Sequence, residues 1–305
     1  MSLTSLNALN TEQNNQDVTN VLKWLFLKDG ETDTSATKLS DVQRSLTGVN
    51  SMSNEVTGDL DWTDVRIYCD MSRFDGNQRT DGKWYDPHIE EAIDPKNTDD
   101  VDWQDCKSKL PTTFAYTHNP KGMKFSQIQI CPWFLNYAKG KEYNTWEDVQ
   151  KKTKLLNFAV PILSNGWPLT PIDAISLFDK VLLHELTHTR SGGGTKDVGG
   201  GNPLFFGGAR YGWNQCKALA KKGVDSSAAD QAPQRNADSI ALLGSAMRFL
   251  HLQDNPMRVK EDGKLEVINQ NTKRWPDLVD PLLSYDKRFA EPGRFVKVVK
   301  AGASI

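Results

Sequence analysis

The sequence predicts an α+β protein with a sheet-bearing N-terminal part and a mainly helical C-terminal part. Residues 65–68 and 126–130 are short runs with one apolar face, as expected of half-buried strands. Residues 173–190, 213–221 and 237–250 instead carry apolar side chains at the three- and four-residue spacing of amphipathic helices. We expect the helix over 173–190, the strongest of the three, to lie between the two parts.

Composition excludes several classes of protein. The 305 residues contain 37 Lys and Arg against 39 Asp and Glu, a formal net charge of −2, whereas a protein that coats nucleic acid has a basic excess. No apolar run approaches the roughly 18 residues needed to cross a bilayer. Nine Trp, twelve Phe and seven Tyr are too many aromatic residues for a disordered chain. We therefore expect a soluble, folded protein without nucleic-acid or membrane partners.

The first 121 residues contain few regular elements by pattern. Residues 1–11 are polar, and we expect them to be loosely ordered. Apolar residues at helical spacing predict a helix over residues 17–30 and a shorter one around residues 42–46. Residues 70–121 contain several prolines and Asp-Gly pairs, which predict a long, turn-rich surface region.

Caps and turns predict further boundaries in the second half. Thr145 is a candidate N-cap for a helix that ends near residue 158, and Asn236 is the candidate N-cap of the helix over 237–250. Asp262 and the following glycine predict the turn of a hairpin over residues 259–267.

The four cysteines are even in number and include no CxxC pair, which excludes a thiolate zinc ribbon. Two disulfides are one interpretation, and four buried thiols are the other. Spacing favours the pairs Cys69–Cys106 and Cys131–Cys216, although three connectivities remain open from sequence.

The helix over 173–190 carries the pattern H-E-x-x-H as His184-Glu185-Leu186-Thr187-His188. Residues four apart lie on one face of a helix, so both imidazoles can bind the same metal ion. Zinc suits two neutral imidazoles and one carboxylate, with a fourth position open to water. Zinc lowers the pKa of that water towards about 7, and Glu185 can accept its proton. We expect one zinc ion per chain.

A third protein ligand must come from outside the helix. Asp197 lies nine residues after His188, beyond glycines that let the chain fold back. The helix over 237–250 contains no glutamate, and its acid, Asp238, is the alternative ligand. The residues alone leave both possibilities open.

Three downstream segments resemble motifs of the aspzincin (deuterolysin-like) metallopeptidases. That family carries H-E-x-x-H, then G-T-x-x-D-x-x-Y-G, and often N-A-D-S. The corresponding segments after His188 are Gly194-Thr195-Lys196-Asp197, Tyr211-Gly212 and Asn236-Ala237-Asp238-Ser239. In the first of them the spacing from Gly-Thr to Asp is one residue shorter than in the family. The resemblance covers about residues 125–250, and this ordered combination is far more specific than H-E-x-x-H alone.

The resemblance implies a zincin-like metallopeptidase fold and a zinc-dependent endopeptidase acting on proteins or peptides. It makes His184, His188 and Asp197 the zinc ligands and Glu185 the general base. It makes Tyr211 the hydroxyl donor that stabilises the oxyanion. Because the family is mainly secreted, we expect an extracellular monomer from which a signal peptide has been removed; the first residues lack such a signal.

Two departures from the family pattern affect these expectations. Residues 198–210 separate Asp197 from Tyr211 where the family has two residues, and we interpret this insertion as a mobile loop over the cleft. It leaves open that Tyr211 is a packed aromatic residue. Lysine-specific members also place a glutamate where this chain has Ala241. Asp238 therefore either binds substrate in a pocket for basic residues or braces its helix.

The expected organisation is a catalytic core over residues 121–255. An elaborated N-terminal region, residues 1–120, packs on it, and residues 256–305 form an extension with the hairpin. The alternative function is a secreted zinc-binding effector or binding protein whose protease-like site is occluded and inactive. A metallohydrolase of non-peptide bonds is a second alternative.

Overall fold

A computed structural model describes most of the chain, namely residues 1–35, 37–55, 58–78, 80–94, 101–108, 113–139, 170–175, 177–199, 211–223, 231–252, 256–268 and 297–301. Within these residues the protein is mixed α+β, with nine α-helices and three small sheets, which confirms the predicted class. In the same residues, no helix combines the length and apolar character needed to cross a bilayer.

The N-terminal part begins with three helices: α1 (Ser2–Thr11), α2 (Gln16–Phe26) and α3 (Ser40–Ser51). Helices α2 and α3 confirm the predictions made from apolar spacing. The expectation that residues 1–11 are loose is wrong, because Leu6 and Leu9 of α1 are buried in the core. Packing against the rest of the molecule stabilises a segment whose own sequence is mostly polar.

The described residues contain nine strands: β1 (Met52–Glu55), β2 (Asp64–Tyr68), β3 (Trp84–Asp86), β4 (Glu91–Ile93), β5 (Ala115–His118), β6 (Phe125–Ile130), β7 (Met257–Val259), β8 (Leu265–Val267) and β9 (Lys297–Ala301). Five of them form the main sheet, in the order β1-β9-β2-β6-β5. Strand β2 is parallel to β6, and β5 is antiparallel to β6 at the end of the sheet. The predicted strands at 65–68 and 126–130 are therefore confirmed as central strands.

The other strands form two antiparallel pairs, β3–β4 and β7–β8. The β7–β8 pair confirms the predicted hairpin, and Gly263 in its connection has a φ of +78°, a conformation that favours glycine.

The described residues after β4 form six further helices: α4 (Val101–Cys106), α5 (Pro132–Lys139), α6 (Pro171–Ile175), α7 (Leu177–His188), α8 (Trp213–Lys222) and α9 (Ala237–Leu250). The helix predicted over 173–190 corresponds to α6 and α7, on either side of residue 176. The helices predicted over 213–221 and 237–250 are confirmed as α8 and α9. The helix predicted from Thr145 lies outside the described residues.

Helix α7 packs against both β5 and the largely buried helix α9. Apolar residues of α7, including Val181 and Leu183, belong to the core that lies on the sheet. A second core joins α1, α2, α3, α8 and α9. This arrangement places the helix that carries the two histidines between sheet and helices.

Residues 70–121 contribute to the core rather than forming only a surface region, so that expectation is wrong. Phe74, Trp103 and Cys106 are buried, and the segment supplies the end strand β5. The expected disulfide pairs are wrong as well. A disulfide joins Cys106, at the end of α4, to Cys131, directly after β6. The fold brings these two residues together, whereas Cys69 and Cys216 stay outside this bond.

Candidate metal centre

The chain reverses direction directly after α7. The amide of Gly194 donates to the carbonyl of Thr189 at 3.0 Å, and the amide of Thr195 donates to the carbonyl of Thr187 at 3.1 Å. Gly193 and Gly194 have φ values of +93° and +59°, which L side chains rarely adopt. The glycines after the histidines therefore return the chain beneath the last turn of the helix.

Helix α3 holds this reversal in place. The Ser45 hydroxyl donates to the Gly192 carbonyl at 2.5 Å. Gly48 of α3 lies so close to the reversing chain that a Cβ at this position would be 1.7 Å from the Ser191 carbonyl oxygen. The position of residues 191–194 thus depends on an N-terminal helix as well as on local sequence.

The segment that carries Asp197 is fixed to the start of α9. The amide of Lys196 donates to the carbonyl of Arg235, and the amide of Ala237 donates back to the carbonyl of Lys196, both at 3.0 Å. The Asn236 side-chain oxygen accepts the amide of Val198 at 3.1 Å. Asn236 occupies the predicted N-cap position, but its side chain makes no hydrogen bond to the helix amides. It fixes the segment around Asp197 instead.

Three donor atoms meet above α7. His184 Nε2 lies 3.1 Å from His188 Nε2 and 3.1 Å from Asp197 Oδ1, and His188 Nε2 lies 3.4 Å from Asp197 Oδ1. Tetrahedral zinc with ligands at 2.0–2.1 Å separates neighbouring donors by about 3.3 Å. Both the donor types and their separations therefore fit zinc. No other group of three or more His, Cys, Asp or Glu in the described residues could hold a metal ion.

The other ring nitrogens of the histidines face acceptors. His188 Nδ1 lies 2.8 Å from the carbonyl oxygen of Thr195, and His184 Nδ1 lies 3.5 Å from Asp238 Oδ1. When a metal is bound, each Nδ1 carries the proton that its acceptor needs, so each Nε2 can offer its lone pair to the metal. The side chain of Asp197 is 36% exposed and that of His184 is 9% exposed, so solvent reaches the donors from the Asp197 side.

Glu185 lies beside the donors and is almost fully buried. Its Oε2 atom is 2.7 Å from the hydroxyl oxygen of Thr117 on β5, which also lies 2.9 Å from the Glu185 carbonyl oxygen. Burial raises the pKa of Glu185, although the two imidazoles and Thr117 partly oppose this shift. A carboxylate with a raised pKa is suited to accepting and returning a proton near neutral pH.

The donors also shift one another's pKa values. Burial opposes the charged form of both histidines, but the carboxylate of Asp197 outweighs it and the pKa of each imidazole is raised. Burial alone would raise the pKa of Asp197, yet the two imidazoles hold it well below its usual range. Without a metal the cluster therefore retains protons that metal binding must displace.

Tyr211 and Asp238 both reach the centre, on different sides of His184. The Tyr211 ring centroid lies 5.5 Å from that of His184. Burial and the neighbouring Asp197 carboxylate raise the pKa of Tyr211 well above its usual value, so the hydroxyl stays protonated as a donor. Asp238 is 3% exposed and lies at the Nδ1 side of His184, away from the donor atoms. Of the insertion over 198–210, residues 200–210 lie outside the described part.

Three residues around the centre had no signal in the sequence. Thr117 contacts Glu185, and Lys180 lies 3.3 Å from Asp238 Oδ1. Burial raises the pKa of Asp102 on α4, and the nearby negative charge of Asp197 contributes to this shift. Thr117 and Asp102 come from distant parts of the chain, Lys180 lies one turn before His184 on α7, and none of the three belongs to a recognisable motif.

Comparison of the chain with protein-family models, curated proteins and solved structures found no match. The resemblance to the aspzincin metallopeptidases therefore rests on the motif residues themselves.

Proposed function

We propose that the protein is a zinc-dependent endopeptidase of the zincin type, related to the aspzincins. One observation carries this proposal. The Nε2 atoms of His184 and His188 and a carboxylate oxygen of Asp197 lie 3.1–3.4 Å apart, and Glu185 is adjacent. Two imidazoles, one carboxylate and a neighbouring buried glutamate form the donor and base set of a hydrolytic zinc site.

The Nε2 atoms of His184 and His188 and the carboxylate of Asp197 would hold the zinc ion. Bound zinc acts as a Lewis acid that polarises a carbonyl group and lowers the pKa of a water molecule to about 7.

The chain's own residues would move the protons. Glu185 accepts a proton from the attacking water and returns it to the leaving amine, which its raised pKa favours. Tyr211 donates its hydroxyl hydrogen to the oxyanion that forms at the scissile carbonyl. A single such donor typically contributes about 3–4 kcal/mol to transition-state stabilisation.

The end strand of the main sheet supports an extended peptide as substrate. Strand β5 pairs with β6 on one side, and none of the described residues pairs with its other edge. Thr117 of β5 contacts Glu185, so this edge runs beside the proposed base. A peptide can add to such an edge through main-chain hydrogen bonds, which presents an internal bond to the site.

The disulfide between Cys106 and Cys131 supports secretion, because disulfides persist in oxidising compartments. We infer an extracellular enzyme on this basis and on the family resemblance.

Metal analysis and a protease assay test the proposal together. We expect one zinc per chain and cleavage of denatured casein that a chelator abolishes and added zinc restores. Glu185→Gln should retain zinc and lose at least about 100-fold in kcat, since it removes the general base. Cleavage by this variant at the wild-type rate would contradict the mechanism. A zinc-loaded wild-type protein that cleaves no peptide would instead support the effector or binding protein.

A further inference from the structure

A buried group of charges lies behind the metal ligands. Lys180, one turn before His184 on α7, has its Nζ atom 3.3 Å from Asp238 Oδ1 and 3.6 Å from Asp173 Oδ1. Lys180, Asp173 and Asp238 are 7%, 1% and 3% exposed. A buried ammonium without a counter-charge is strongly destabilising, so the three residues act as one unit, which we call the lysine triad.

The lysine triad reaches two parts of the candidate metal centre. Asp238 Oδ1 lies 3.5 Å from His184 Nδ1, and Asp238 Oδ2 accepts the amide of Gly212 at 2.5 Å. Asp173 Oδ1 accepts the amide of Trp213 at 3.0 Å. The two carboxylates therefore contact the ring of one ligand and the main chain directly after Tyr211.

Asp173 is itself held at the start of α6. Its Oδ2 atom accepts the Thr170 amide at 3.0 Å and the Thr170 hydroxyl at 2.8 Å. Both of these hydrogen bonds run from Thr170 to the carboxylate of Asp173, and the amide of Asp173 donates to the carbonyl of Thr170 at 3.0 Å. The triad links α6, α7, α9 and the segment before α8 at a single point.

We propose that Lys180 and Asp238 are positioning residues of the metal centre. Lys180 fixes the Asp238 carboxylate, and Asp238 fixes the imidazole of His184 and the main chain that carries Tyr211. This inference rests on the proposed function, because it takes His184 to be a metal ligand. It also assigns Asp238 a role behind the metal, with both oxygens occupied by protein groups, rather than a role in binding substrate side chains.

Whether Lys180→Met strengthens or weakens zinc binding distinguishes a positioning role of Lys180 from a simple effect of its charge. Lys180→Met removes a positive charge behind His184, and through space that loss should favour a bound cation. If Lys180 acts by position, its loss leaves two buried carboxylates that repel each other. Asp238 then moves, the His184 ring loses its alignment, and zinc binds more weakly.

The measurement is zinc affinity of the purified full chain, by competition with a chelator of known affinity. We expect Lys180→Met and Asp238→Asn each to weaken zinc binding about 10- to 100-fold, the range typical of residues that orient metal ligands. The double variant should bind no more weakly than Asp238→Asn alone, because Lys180 acts through Asp238.

Arg73→Met is the matched control. Arg73 is also a buried cation with a buried carboxylate partner, Asp86, at 2.9 Å, but among the described residues its contacts do not include the metal centre. The Arg73→Met variant should have a lower free energy of unfolding in urea and an unchanged zinc affinity. The visible spectrum of the Co²⁺-loaded protein is a second readout, because it reports ligand geometry. It should change in Lys180→Met and not in the control.

Lys180→Met that binds zinc as tightly as the wild type, or more tightly, would overturn the inference. Losses that add in the double variant would overturn the route through Asp238. If Lys180→Met does not fold, unchanged affinity in Asp238→Asn, which preserves side-chain volume, overturns it equally. A wild-type protein that binds no zinc would refute the proposed function and this inference together. A wild-type protein that binds zinc, with variants of unchanged affinity, would refute this inference alone.

Discussion

Replacing Gly48 with alanine should destabilise the protein, although Gly48 lies inside helix α3. Helix propensity alone predicts the opposite sign, because alanine is favoured over glycine by about 1 kcal/mol inside a helix. The added Cβ would however lie 1.7 Å from the Ser191 carbonyl oxygen and 2.8 Å from its carbon. Non-bonded heavy atoms need about 3.5 Å, so α3 and the chain reversal must separate by roughly 1.8 Å.

Overpacking against a rigid backbone typically costs about 1–3 kcal/mol, and an overlap this large belongs at the upper end. After the gain in propensity, Gly48→Ala should lower the free energy of unfolding by about 2 kcal/mol. The displaced segment joins His188 to Asp197, and metal geometry tolerates only about 0.5 Å of misplacement. Zinc affinity should therefore fall as well.

Urea unfolding of the metal-free protein measures the first effect, and chelator competition measures the second. Gly58→Ala is the matched control, because a Cβ at Gly58 meets nothing within 4 Å. It should be neutral or slightly stabilising. If Gly48→Ala is as stable as the wild type and binds zinc equally well, then α3 does not hold the chain reversal.

Three further predictions follow from the geometry of the centre and its surroundings. Because the imidazoles have raised pKa values in the metal-free protein, zinc binding should release protons and weaken as the pH falls through neutrality. Calorimetry in buffers of different ionisation enthalpy measures the proton release, and a zinc affinity that does not depend on pH would contradict this prediction. Tyr211→Phe should lower kcat about 100- to 1,000-fold with little change in KM, and equal activity of the two proteins on casein would leave Tyr211 as a packing residue. Replacing Cys106 and Cys131 by alanine should lower the free energy of unfolding by about 3 kcal/mol, since the disulfide closes a loop with a sequence separation of 25. An unchanged midpoint of urea unfolding would argue against this disulfide.

The local parts of the centre were predictable from the sequence. His184 and His188 are one helical turn apart, and the apolar spacing around them predicts the helix that brings their rings together. Asp197 follows closely enough that a single chain reversal places it beside them. In each case the residues that approach one another are close in the chain, so a pattern can report their approach, although distant segments hold the reversal in place.

The residues that support the centre were not predictable, because their contacts join segments that are far apart in the chain. Thr117 reaches Glu185 from a strand 68 residues away, and no periodicity encodes that contact. Helix α1 was missed because its few apolar residues are stabilised by distant helices. The disulfide pairing failed because Cys106 and Cys131 meet only once β6 and α4 are in place.

The three proposed zinc ligands lie close together in the sequence, which has a consequence for metal binding during folding. They span residues 184–197, so the loop that must close to unite them is short and loses little chain entropy. During refolding, an ion could engage this hairpin-like unit before the distant strand β9 has joined the sheet. Zinc present at the start should then accelerate refolding by stabilising an early nucleus, beyond its stabilisation of the finished protein.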